Sequence, residues 1–298
     1  MAGGREATVT AHLALDHAGV AVKDLDRGRQ MYERLGFQLT ARSMHRGSRT
    51  PGGPVEPWGS GNHCAMFREG YLEVIGLTDP AMYSNVKALV ARYEGAHMIA
   101  MGCDSADAAH AELKRRGVPV EAPRQLERDA AYGPAGNETR RAAFRNMYFE
   151  RDAYPEARLL YCEHLTRDVI WQPHLLDHPN GVIALRDVFV CAPDARTTAG
   201  KFASLFETAA EPAGEGEWRL ALARGAVWVM TPAAWAHRAP GAPTPPLPSP
   251  AGIGFRVASV AETRSLLANR GVEVHNGPDR GIWVGPADGC GAALYFFQ

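Results

Sequence analysis

Alternating apolar positions followed by a helical apolar stripe recur along the chain and predict four strand–helix units. In the first, residues 15–22 alternate as a strand does, and Asp24 can cap the helix that follows. The second unit covers residues 96–120, the third begins the segment 185–206 and the fourth the segment 251–274. Further strand-like runs follow each unit. The pattern therefore predicts an α+β fold of four βαβββ modules.

Stretches rich in Gly, Pro or polar residues separate these units. Residues 43–62 contain many Gly and Pro residues and are predicted to form a loop, and the proline-dense stretch 239–252 is predicted to be an extended connector. A softer boundary lies at residues 171–181, between the second and third units. We place the division there and predict two paired domains, 1–181 and 182–298.

Two histidines stand at matching places in the first two units. His17 precedes Asp24 by seven residues, and His97 precedes Asp104 by seven residues. Neutral imidazole is the commonest metal ligand in proteins. Glu73 lies in an otherwise apolar strand, where an unpaired carboxylate is costly to bury. It therefore faces water or a partner, and a metal ion is one such partner.

Four segments carry a resemblance to a known superfamily. They are LDHAGVAVKDLDRGRQMYERLGF (15–37), YLEVIGLTDP (71–80), AHMIAMGCDSADAAHAELKRRG (96–117) and LLYCEHL (159–165). These segments resemble the vicinal oxygen chelate superfamily, which includes glyoxalase I, extradiol dioxygenases and the bleomycin-resistance proteins, and they look most like its glyoxalase-like branch. The resemblance covers about residues 13–181 and is thin afterwards.

The resemblance implies a divalent metal held in a cup between two paired modules. Carried over residue by residue, its metal ligands are His17, Glu73, His97 and Glu163, and its catalytic residues are Glu73 and Glu163. The last position is open, because the register of LLYCEHL places either Tyr161 or Glu163 there. A one-residue slip turns a side chain to the other face of the sheet.

Other residues are weaker candidates for the same cup. His63 is expected on a neighbouring hairpin strand as a substrate contact, and Tyr148 or Arg145 can line the cavity. We interpret His164 as structural and Cys162 as a small buried hydrophobe.

The resemblance leaves three functions open. The leading one is a lyase or isomerase of glyoxalase type, which uses a divalent metal such as Ni, Co, Zn or Mn and an enediolate-like intermediate of a small vicinal-oxygen substrate. An Fe(II) extradiol-type dioxygenase would use His17, His97 and Glu163 as a facial triad. A metal-free binding or resistance protein would need none of these ligands. The third and fourth modules lack them, with Asp187 where His17 stands, and are expected to pack on the first domain, shape its pocket or form an oligomer contact.

Composition narrows the class of protein. The chain has 298 residues, 32 Lys and Arg against 33 Asp and Glu, and a net charge of −1, which argues against a nucleic-acid partner. No apolar run approaches the ~18 residues of a membrane span, and the N-terminus lacks the apolar region of a secretory signal. Five cysteines form no CxxC pair. We predict a cytoplasmic protein that binds a small-molecule substrate and forms a homodimer.

Overall fold

The computed structural model describes residues 13–49 and 53–298. Its strands are β1 (Ala14–Val22), β2 (Ser43–Gly47), β3 (Glu56–Met66), β4 (Tyr71–Leu77), β5 (Gly95–Gly102), β6 (Arg124–Tyr132), β7 (Glu138–Tyr148), β8 (Arg158–His164), β9 (Val182–Cys191), β10 (Ala210–Gly214), β11 (Glu217–Ala221), β12 (Ala226–Met230), β13 (Ser249–Val257), β14 (Val274–Asn276), β15 (Ile282–Val284) and β16 (Ala293–Phe297). Its α-helices are α1 (Leu25–Arg34), α2 (Val86–Arg92), α3 (Ala106–Arg115), α4 (Arg167–Ile170), α5 (Ala195–Phe206), α6 (Pro232–Arg238) and α7 (Val260–Asn269). A 3-10 turn lies at Pro173–Leu175.

The strands form two eight-stranded mixed sheets, which confirms the predicted α+β fold of βαβββ modules. The first sheet has the order β2-β3-β4-β1-β5-β8-β7-β6, and the second has the order β10-β11-β12-β9-β13-β16-β15-β14. In each sheet two modules join through their first strands, which run antiparallel to each other. All strands of the first sheet precede the predicted boundary at residue 181, and all strands of the second follow it.

A side-chain cap starts the main helix of each module. The caps are Asp24, Ser105, Asp194 and Ser259, each accepting a hydrogen bond from a backbone N–H three residues later. The cap of the second module corrects the expected alignment, because it is Ser105 and not Asp104. The distance from histidine to cap is therefore seven residues in the first module and eight in the second.

The Gly- and Pro-rich stretch 43–62 was predicted to be a loop, and this is wrong for the described part of it. β2 and β3 occupy most of it and pair antiparallel. Its glycines allow close backbone approach, since a Cβ at Gly59 would lie 2.0 Å from the carbonyl oxygen of Asp79, just after β4, and one at Gly61 would lie 2.6 Å from that of Ser43 on β2. Residues 50–52 of this prediction lie outside the described residues.

The first sheet has a helix face, which packs against α1 and α3, and an inner face on its opposite side. The alternation of side chains separates the two, so that Leu72 and Val74 belong to the main core while Tyr71 belongs to a separate cluster. The edge strands β2 and β6 come together, and Arg128 Nη1 donates to Ser43 Oγ across them at 3.0 Å. The sheet thus curls into a cup lined by its inner face.

The two sheets share one continuous core. Leu15 N donates to the carbonyl of Arg224, and Leu185 N donates to that of Glu69, both at 2.9 Å. The hydroxyl of buried Tyr32 donates to the carbonyl of Gly289 at 3.1 Å. The second sheet therefore packs on the first domain, and this contact fixes the position of both.

No helix within residues 13–49 and 53–298 is long and apolar enough to cross a membrane. The predicted absence of a secretory signal depends in part on residues 1–12, which lie outside the described residues.

Candidate functional site

A β-bulge at the start of β1 places two polar side chains side by side in the first cup. The pairing of β1 with β5 shifts register between Leu15 and His17. His17 stacks on Tyr71 with ring centroids 4.4 Å apart, and its Nδ1 lies 2.8 Å from Asp16 Oδ2. Both side chains are nearly fully buried. The predicted ligand His17 therefore faces the cup, in contact with a carboxylate that the sequence pattern did not identify.

Asp16 also contacts β8 of the second module. His164 Nε2 lies 3.1 Å from Asp16 Oδ1 and 3.0 Å from Oδ2, and Cys162 Sγ lies 3.6 Å from the same nitrogen. We call Asp16, Cys162 and His164 the Asp16 cluster. Their potential ligand atoms all lie within 4.8 Å of one another. Among the described residues, this is the group of three His, Cys, Asp or Glu side chains that lie close enough together to hold a metal ion.

The electrostatics of the cluster favour an ionised carboxylate. Burial by itself raises the pKa of Asp16, but the hydrogen bonds and charges of His164 and His17 outweigh it and hold this pKa well below its usual value. Burial raises the pKa of the Cys162 thiol well above its usual range. Among the described residues, His164 Nδ1 is a buried atom without a hydrogen-bond partner.

The segment after β8 covers this end of the cup. Trp171 Nε1 donates to the carbonyl of Phe67 at 2.9 Å. The Trp171 ring packs edge-on against His164 at 4.9 Å and against Tyr71 at 5.6 Å between centroids. Val169 of α4 is buried in one apolar group with Tyr71 and Trp171. The Asp16 cluster is thereby shielded from water.

The structure does not bring His97 to this cluster. A second register shift in the β1–β5 pairing leaves His97 without a partner residue on β1. Its Nε2–H donates to the carbonyl of Tyr93 at 2.9 Å, and its ring stacks on the Tyr93 ring with centroids 3.9 Å apart. Burial lowers the pKa of His97 to about 4, so the ring is neutral at pH 7. His17 pairs with Ala100 of β5. Ala100 is three residues beyond His97 on that strand, a distance of about 10 Å.

The helix caps show which residue takes the place expected for His97. His17 lies seven residues before Asp24, and the residue seven before Ser105 is Met98. Met98 packs on the inner face of the cup. The expected correspondence was wrong by one residue, and an apolar side chain occupies the position.

Glu73 faces the cup, on the same face of β4 as Tyr71. It pairs with Gly19 on β1, and Asn62 Nδ2 donates to its Oε1. The equivalent place in the second module, beside Ala100, is held by Leu160. The second module thus supplies apolar residues where the first has His17 and Glu73.

Glu163 and Tyr161 lie on the helix face, and this corrects the face expected for both. Glu163 Oε2 accepts a hydrogen bond from the backbone N–H of Ala106 at 2.8 Å, which anchors the start of α3. Tyr161 belongs to the main core. Because side chains alternate along β8, it is Cys162 and His164 that point into the cup.

The two residues expected to contact substrate, His63 and Tyr148, lie on opposite faces of the sheet. His63 lies on the helix face, where its Nδ1–H donates to the carbonyl of Thr40 at 2.8 Å, and burial lowers its pKa. Tyr148 lies on the inner face, with the guanidinium of Arg158 4.9 Å from its ring centroid.

The second cup is filled with aromatic side chains. Asp187 stands where His17 stands in the first, as the sequence predicts, and accepts a hydrogen bond from Trp228 Nε1 at 2.9 Å. Trp235 of α6 is fully buried against Tyr295 in this cup.

Comparisons with known proteins agree with this architecture. A family model described as a glyoxalase-like domain matches residues 15–206. A search of curated proteins found none that matches the chain.

Solved structures of low sequence identity share the fold. A hypothetical protein from Staphylococcus aureus is 13% identical with a TM-score of 0.61, over 96% of this chain and 99% of that one. A mutant of 4-hydroxymandelate synthase from Streptomyces coelicolor is 12% identical with a TM-score of 0.56, over 96% and 92%. The Mn(II)-bound glyoxalase from Novosphingobium aromaticivorans is 13% identical with a TM-score of 0.52, over 95% and 81%.

Proposed function

The chain belongs to the glyoxalase-like domain family, and from that premise we propose that its first cup is the active site of a metal-assisted lyase or isomerase. The substrate is a small molecule with oxygens on neighbouring carbons. The observation that carries this proposal is the Asp16 cluster, in which three buried donor atoms from two modules lie within 4.8 Å of one another.

The four predicted ligands do not fit a metal as a set, because His97 lies on β5 about 10 Å from the residue paired with His17, and Glu163 faces the helices. The Asp16 cluster does fit one. Imidazole nitrogen, carboxylate oxygen and thiolate sulfur together suit zinc or iron and disfavour magnesium and calcium. Burial raises the pKa of the free Cys162 thiol, so a metal binding there would have to displace its proton to form the thiolate ligand.

The chain's own residues supply orientation and proton transfer. A metal bound at the cluster would act as a Lewis acid toward developing negative charge on substrate oxygen. Asp16 fixes the imidazole of His17 by accepting from its Nδ1–H. Glu73 lies on the same inner face, held by Asn62, and we assign it the proton transfer. Glu163 is not part of this assignment.

A second candidate function has its own observation. The carboxylate of Asp16 contacts two imidazoles, those of His17 and His164, and two histidines with one carboxylate are the ligand set of non-heme Fe(II) oxygenases. Iron in the purified protein would therefore favour a dioxygenase, while zinc, nickel or manganese would favour the lyase.

Cobalt substitution tests the proposed site directly. After reconstitution with Co²⁺, the wild-type chain is expected to show an intense near-ultraviolet band from thiolate-to-cobalt charge transfer, and Cys162→Ser is expected to lose it. Cys191→Ser removes a buried thiol from the second domain and serves as the matched control. A protein that takes up no metal after reconstitution, or an unchanged band in Cys162→Ser, would contradict the proposal. The first result would favour the metal-free binding protein.

A further inference from the structure

One row of the first cup contains two opposite charges that do not touch each other. Strand register places Glu73 beside Gly19, Gly19 beside Met98, and Met98 beside Arg158. Glu73 on β4 and Arg158 on β8 therefore stand at the same level of the inner face, with the two strands β1 and β5 between them. They interact electrostatically, but no ion pair joins them.

Arg158 is a guanidinium without a carboxylate partner. Its side chain is half-buried, and its charged group lies 4.9 Å from the ring centroid of Tyr148. In the described parts of the chain, no Asp or Glu oxygen lies within 4.0 Å of its nitrogens. Arginine stays charged at all ordinary pH values and presents a planar fork that matches a carboxylate. This half-buried cation therefore has no carboxylate counter-charge within ion-pair distance.

Unpartnered acceptors lie on the same inner face. The Oδ1 atoms of Asn62 and Asn146 are buried and have no hydrogen-bond donor among the described residues. Asn62 holds Glu73 with its amide nitrogen, and Asn146 pairs with Cys162. Buried amide oxygens without a donor are costly, and a ligand hydroxyl would satisfy them.

We infer that Arg158 anchors the carboxylate of a small hydroxylated acid in the first cup, with Asn62 and Asn146 accepting hydrogen bonds from its hydroxyl groups. This inference deepens the proposed function, because it names the substrate class for the same cup. Along β8, Arg158 and Cys162 are four residues apart, about 13 Å between Cα atoms. The long arginine side chain and a molecule of a few carbons span that interval, so that the other end of the acid reaches the Asp16 cluster.

Calorimetric titration with three simple probes tests the inference. Glycerate carries a carboxylate and hydroxyl groups, propionate lacks the hydroxyl groups, and glycerol lacks the carboxylate. The wild-type chain is expected to bind glycerate more tightly than propionate and glycerol. Arg158→Met is expected to weaken glycerate binding at least about tenfold, the range of a lost charge-assisted hydrogen bond, and Arg158→Lys to weaken it less.

Arg145→Met is the matched control. Arg145 is on the neighbouring strand β7 but faces the helices, where it pairs with Asp107 at 2.6 Å, so its loss should leave glycerate binding unchanged. Equal binding of glycerate by the wild type, Arg158→Met and Arg158→Lys would overturn the inference, as would equal binding of all three probes by the wild type. The titrations are run on protein as purified and after chelation. Binding that depends on Arg158 in the chelated protein supports this inference even if the proposed metal chemistry fails.

Discussion

Asp16→Asn is the most informative single perturbation of the cup. The carboxylate is 5% exposed and accepts from His17 Nδ1 at 2.8 Å and from His164 Nε2 at 3.0 Å. Charge-assisted hydrogen bonds contribute about 1.5–3 kcal/mol each, and the amide of asparagine can keep one ordinary bond of about 1 kcal/mol. A neutral amide also costs less to bury than an ionised carboxylate, and this gain offsets part of the lost hydrogen-bond energy. We expect the free energy of unfolding at pH 7 to fall by about 2–4 kcal/mol.

The pH dependence gives this prediction its sign. The pKa of Asp16 is lower in the folded protein than its usual 3.8, so its stabilisation is fully present above about pH 4 and is lost as pH falls toward the folded pKa. Each pH unit below 3.8 removes about 1.4 kcal/mol of it. The difference between wild type and Asp16→Asn should therefore be about 1 kcal/mol smaller at pH 3 than at pH 7.

Urea unfolding of chelated protein at the two pH values measures this difference. Glu163→Gln is the control, because it alters a carboxylate next to His164 on β8 that faces α3 and bonds the backbone of Ala106 instead of a histidine. Loss of less than about 0.5 kcal/mol in Asp16→Asn at pH 7, or the same loss at both pH values, would refute the electrostatic account of the cluster.

Three further substitutions test the packing around the cups. Trp171→Ala should uncover the cluster, lower stability by about 2–3 kcal/mol and speed the reaction of Cys162 with a thiol reagent; an unchanged rate would show that the indole does not shield it. Trp235→Ala should cost about 3–5 kcal/mol in urea unfolding while metal content stays the same, and a loss of metal would contradict the separation of the two cups. Gly19→Ala places a Cβ 2.5 Å from Met98 Cε and should destabilise by about 1–3 kcal/mol, with partial recovery in Gly19→Ala/Met98→Ala. No recovery would contradict the assignment of the loss to the Met98 side chain beyond its Cβ, which lies at 2.8 Å and is kept by alanine.

The modular fold could be predicted because local signals agree with the global topology. Side-chain caps such as Asp24 and Asp194 mark the helix starts, and the chain reverses between β3 and β4 at Gly70, which has a φ of +75°. The short connecting helices were not predicted. One of them had a signal, since Thr231 and Pro232 form a cap and first turn for α6.

The site was harder to predict because it depends on register. Two bulges in the β1–β5 pairing move Asp16 into the cup and His97 out of alignment, and no periodicity in the sequence marks a bulge. Strand alternation puts Cys162 and His164 on one face of β8 and Tyr161 and Glu163 on the other. Which face points inward was not determined by alternation alone, because both faces of this strand are largely buried.

The central claim is that a metal binds at the Asp16 cluster and not at the four-residue set that the family resemblance implies. Elemental analysis of untagged protein, purified without chelator, compares two double variants. Asp16→Asn/His164→Ala should lose the roughly one metal ion per chain that we expect in the wild type, while His97→Ala/Glu163→Gln should retain it. Metal retained in the first variant and lost in the second would contradict the account.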